Sequence, residues 1–83
     1  MSSPFEVDLE GFKKQAGEFL QALPTASLDG LENGMKCLNL AYLNLEPLPA
    51  NGSYEQIIAV STLEFAARKY FYRHFELVNK THH

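Results

Sequence analysis

The sequence predicts an all-α fold, a small bundle of three helices with the third the longest, and three observations predict it. Apolar residues recur at alternating spacings of three and four in each of three segments. Proline-bearing breaks at Pro24 and across residues 46–53 separate those segments. No stretch alternates polar and apolar residues over the length of a strand. Short connections then set neighbouring helices antiparallel. The chain reads as one helical domain, 1–83, with a loop at 46–53 and a tail at 80–83.

The first helix is expected at about 4–23. Ser3-Pro4-Phe5-Glu6 supplies a capping residue, a proline at the first helical position and an acid three residues after the cap. Phe5, Leu9, Phe12, Ala16, Phe19 and Leu23 then form its apolar stripe. Pro24 ends it by disfavouring helical geometry in the residue before it.

The second helix is expected at about 28–45, after Ser27, with the stripe Leu28, Leu31, Met35, Leu38, Tyr42 and Leu45. Gly30 and Gly34 weaken its first turns, so a separate short turn near Leu28 is one expectation. The spacing of these two glycines marks a place where another backbone comes close.

The loop EPLPANGS ends in Ser53, which with Gln56 forms a capping box for the third helix, expected at about 54–79. Pairs four residues apart, Glu64 with Arg68 and Glu76 with Lys80, are expected to support it. On a helical wheel Val60, Leu63, Ala67, Tyr70, Phe71, His74 and Val78 share one broad face, with Ile57 and Phe75 at its margin. That face is expected to be the core. Tyr54, Ile58, Phe65 and Tyr72 fall roughly opposite, and the last three are spaced by sevens.

A helix packed only against two others has no use for that second stripe. A contiguous exposed apolar strip is the mark of a contact site. Helix two agrees, because Leu40 lies opposite its core stripe and Leu43 on the flank. The expectation is therefore a non-enzymatic adaptor, regulator or inhibitor that acts through protein contacts. It would be a homodimer through Tyr54, Ile58, Phe65 and Tyr72, with Leu40 and Leu43 as a second patch and another protein as a further partner. An overhanging end of helix three, carrying Tyr72, Phe75 and Leu77, points the same way.

Small size agrees with assembly. A chain of this length buries only about 60–65% of its unfolded surface. One cysteine, Cys37, excludes an internal disulfide, and no Cys/His spacing indicates a zinc site. Of the usual supports for a small domain, oligomerisation is the one left.

The alternative reading is a nucleic-acid-binding regulator. Lys69, Arg73 and Lys80 line one side of helix three near Phe65 and Tyr72, joining phosphate-pairing charge to rings that stack on bases. A net charge of −3 weakens it, since few cations make a small salt-dependent term.

Catalysis finds little support. His74 falls on the core face with Tyr70 one turn earlier, and no carboxylate or nucleophile sits at a spacing that completes a triad. Cys37 reads as a small packing residue in mid-helix. No metal site, cofactor motif or phosphate loop is present in the pattern. The amino terminus lacks a basic region followed by an apolar run, and no window reaches the ~20 apolar residues of a membrane span. A cytoplasmic location is the default expectation, and terminal His82 and His83 are given no role.

Overall fold

Asp8 decides where the first helix begins. Its backbone is extended and its carboxylate accepts a hydrogen bond from the Gly11 amide at 2.7 Å, which satisfies a donor the helix cannot pair internally. In the computed structural model, which describes residues 8–45 and 50–81, α1 accordingly spans Leu9–Ala22, followed by a single 3-10 turn at Leu23–Thr25. The expected start at residue 4 gives way to this cap, and Ser3, Pro4, Phe5 and Glu6 lie outside the described residues.

Ser27 caps α2 (Leu28–Leu43) in the same manner, its hydroxyl accepting from the Gly30 amide at 3.1 Å. The helix is continuous from Leu28, so its two glycines do not split off a separate turn. It stops two residues before the expected 45, where the Asn44 side chain donates to the Leu40 carbonyl at 2.7 Å.

The third cap differs in detail from the expected box. Ser53 Oγ accepts from the Gln56 amide at 3.0 Å, but the Gln56 side chain accepts from Gly52, not from Ser53, at 2.7 Å. Gly52 has a φ of +80°, a conformation that glycine adopts without the strain a Cβ brings. From this turn α3 runs Tyr54–Thr81, so Lys80 and Thr81 belong to its last turn and not to a tail.

The three helices form a three-helix bundle. Its core holds Phe12 and Ala16 from α1, Met35, Leu38 and Ala41 from α2, Leu45 after it, and Ala59 and Ala66 from α3. Phe12 packs on Tyr42 and Phe19 on Gly34, so α1 and α2 run antiparallel. Instead of admitting a neighbouring backbone, Gly34 admits a ring. A Cβ there would lie 2.8 Å from Phe19 Cδ1. Each large side chain fully buried in this core contributes about 1.5–3 kcal/mol relative to exposure.

Contacts along α1 and α3 advance together. Residues Lys13 to Leu20 border a groove with Ser61 to Phe65, and farther along Arg73 reaches the Leu23 and Pro24 carbonyls. These two helices are therefore parallel, as an up-down-up arrangement requires. At 1.5 Å per residue α3 is about 42 Å long, against about 21 Å and 24 Å for α1 and α2. Its excess length sets the 50 Å long dimension of the molecule.

Candidate functional site

The inward face of α3 is not the one its large residues indicate. Its fully buried side chains are Ala59 and Ala66, while Leu63, Ala67 and Tyr70 pack partly against the core. Phe71, expected inside, is 67% exposed, and Ile57 and Phe75 also face outward. The face that packs is turned about a quarter-turn from the expected one, at the ~100° per residue of a helix. Small inner residues let the helices approach closely, and this displaces the bulky rings to the flanks.

That rotation also moves the second stripe. Tyr54, Phe65 and Tyr72 are 73%, 50% and 61% exposed, and Ile58 is half-buried. Phe65 stands on the flank of α3 that adjoins α1, where it forms one wall of the groove shared with Lys13, Ala16, Gly17 and Leu20. At ~100° per residue Tyr54, Ile58 and Tyr72 fall on the same side of the helix as Phe65. The Lys69 ammonium lies over the Phe65 ring, 5.4 Å from its centre. Leu40 and Leu43 are exposed on α2, as expected for the second patch.

Two further residues, Ile57 and Phe71, expected on or beside the core face, stand outward. With Phe75 of the expected overhang they continue the apolar surface around the back of α3, Phe71 standing edge-on to Tyr72 at 6.5 Å. Six large apolar residues on this one helix are therefore at least half exposed. Their signal lay in spacing already visible: Ala59, Leu63, Ala66, Tyr70, Arg73 and Leu77 recur at four and three, an unbroken inner face that leaves Phe71 and Phe75 outside.

The three basic residues of the alternative reading have separate surroundings. Arg73 is half-buried, and its guanidinium donates to the carbonyls of Leu23 at 3.1 Å and Pro24 at 3.0 Å, with Glu76 3.8 Å away. It caps the end of α1 and its following turn. Lys69 covers Phe65, and Lys80 is exposed in the last turn of α3. Among the described residues, neither expected pair, Glu64 with Arg68 or Glu76 with Lys80, forms. Glu76 turns to Arg73 instead.

His74 is half-buried beside the Tyr70 ring, and its Nε2 lies 3.4 Å from a Glu32 carboxylate oxygen on α2. The two residues are distant in sequence, which is why no local spacing revealed the carboxylate. The contact links α3 to α2. Cys37 is exposed at the edge of a groove between α1 and α2, and is not a packing residue. Among the described residues no three His, Cys, Asp or Glu side chains gather where they could hold a metal ion, and no helix is long and apolar enough to cross a membrane.

Compared with protein-family models, with curated proteins and with solved structures, the chain matches none.

Proposed function

We propose that this protein works by contact: a non-enzymatic adaptor, regulator or inhibitor that assembles as a homodimer through the flank of α3 carrying Tyr54, Ile58, Phe65 and Tyr72. One observation carries the reading. The longest helix of a small bundle holds six large apolar side chains at least half in solvent, while its packed face is built on two alanines. Scattered single apolar residues are normal on any surface. A run of them along one helix is a surface that gains by being covered. Aromatic residues also dominate binding energy where interfaces have been dissected.

The remaining outward residues, Ile57, Phe71 and Phe75 on α3 with Leu40 and Leu43 on α2, are what such a dimer would offer to another protein. Light scattering over a range of concentrations tests the assembly. A mass near 19 kDa, about twice the 9.4 kDa chain, is expected. Phe65→Glu should return the mass to that of one chain with its helical circular dichroism unchanged. A wild-type protein that stays monomeric at high concentration removes the homodimer from this reading.

A further inference from the structure

We propose that the second copy docks antiparallel, α3 against α3, with the twofold axis beside Phe65 and each copy's α3 lying over the other's groove between α1 and α3. This rests on the homodimer reading above and adds the direction and register of the pairing.

Symmetry is the first support. In a twofold interface, residue i meets j wherever j meets i. Ile58 and Tyr72 lie seven residues to either side of Phe65, on the same flank of α3. An axis at Phe65 therefore sets Phe65 against its own copy and Ile58 against Tyr72 of the second chain. Seven-residue spacing is what keeps a seam facing a partner helix along its length.

Charge selects the direction. From Tyr54 to Phe65, α3 carries Glu55 and Glu64 and no base. From Ala66 to Thr81 it carries Arg68, Lys69, Arg73 and Lys80 against Glu76 alone. The first half is acidic and the second basic. Antiparallel pairing sets each acidic half beside a basic one, whereas parallel pairing sets like beside like.

Room and area complete the argument. The groove is floored by Ala16, Gly17, Ser61 and Thr62, and a Cβ on Gly17 would meet nothing within 4 Å, so this side of α1 is open to an incoming helix. Aromatic residues bury about 150–250 Å² when covered. At the exposures of Tyr54, Phe65 and Tyr72, the three leave roughly 300–450 Å² open per copy, about half of the ~800 Å² per partner in a standard interface. Ile58, Leu20 and the stem of Lys13 border the same surface and supply more.

Cysteine cross-linking reads the direction without touching the rings. In a Cys37→Ser background, one chain carries Ser61→Cys and another Arg68→Cys. Both positions are exposed and lie on one side of the seam. Antiparallel pairing about Phe65 brings residue 61 of one copy to residue 68 of the other. It holds like positions apart, beyond the ~7 Å Cα separation a disulfide can span. On mild oxidation of the mixed chains, intact mass should show the 61-to-68 heterodisulfide in several-fold excess over either homodisulfide. Dominant 61-to-61 and 68-to-68 species would overturn the antiparallel direction. A protein that scatters as a dimer yet forms none of the three links would overturn this pairing and move the interface off this flank, leaving only self-association from the reading above. A monomer sinks both.

Gly17→Leu supplies a second test. It points into open space in one chain, so the fold should hold while the partner helix is blocked and the mass falls to that of one chain. A folded Gly17→Leu dimer of undiminished affinity would take the groove out of the interface.

Discussion

In α2 the large side chains point inward: Leu31, Met35 and Leu38 are buried, and leucine outside that face is confined to Leu40 and Leu43 near its end. In α3 the order is reversed. Ala59 and Ala66 occupy the buried positions, and Phe65, Phe71, Tyr72 and Phe75 stand in water. α2 stabilises the bundle by the volume it places in the core. α3 packs on small residues by close approach and keeps six large apolar side chains at least half exposed. Two helices of one fold thus divide the work, α2 holding the domain together and α3 presenting a surface.

The widest break in that comparison is a pair of truncations. Leu38→Ala removes a fully buried side chain and should cost about 2–5 kcal/mol, the range for leucine-to-alanine changes in packed cores. Phe71→Ala removes a larger side chain from a position 67% exposed, and surface changes usually stay within about 0.5 kcal/mol. Urea denaturation of the two variants at equal concentration measures the difference. Comparable losses would mean that Phe71 is a core residue and that α3 is turned back toward the face its bulky residues indicate.

Arg73 sharpens the contrast, since it is a charged residue that α3 directs inward, to the end of α1. Hydrogen bonds from a charged group contribute about 1.5–3 kcal/mol, and Arg73 makes two, to carbonyls at the end of α1 and its following turn. The nearby Glu76 is 60% exposed, so that ion pair contributes little. Arg73→Ala should cost about 1–3 kcal/mol. Arg73→Lys should recover less than half of it, because an ammonium lacks the planar fork that reaches two acceptors. Amide hydrogen exchange in the last turn of α1 should quicken in both variants. Unchanged exchange would leave the guanidinium free for an external anion, and the nucleic-acid reading would regain its central cation.

Legibility followed the same division. The second helix could be read directly, because Leu31, Met35 and Leu38 are both its bulkiest apolar residues and its buried ones, and Ser27 is a cap of the preferred type. The third could not be oriented by bulk. A wheel weighted by size follows Phe71 and Phe75 and passes over Ala59 and Ala66, yet the alanines set how near α1 and α2 can come. The spacing marks Tyr54, Phe65 and Tyr72 as outward residues, and they are exposed, but the groove that Phe65 shares with α1 has no local signal. The links made by Arg73 and His74 join residues roughly 40–50 positions apart, and no local spacing encodes them.

Two glycines give the finest comparison, because the same substitution should change stability in opposite directions. Each is a helix-interior glycine, and alanine there gains about 1 kcal/mol from backbone propensity alone. At Gly17 nothing stands within 4 Å of the added methyl, so Gly17→Ala should stabilise the chain by about 0.5–1 kcal/mol. At Gly34 the methyl would sit 2.8 Å and 2.9 Å from two carbons of the Phe19 ring, nearer than atoms in real contact come. Overpacking of this kind costs about 1–3 kcal/mol, which exceeds the propensity gain for most of that range, and Gly34→Ala should lose about 1 kcal/mol net. Thermal melts of the two variants at one protein concentration decide it. If both melt higher than the parent, the Phe19 ring yields easily and the contact of α1 with α2 is looser than its distances imply. The closeness of approach that explains α3's alanines would then need to be re-argued from α3 alone.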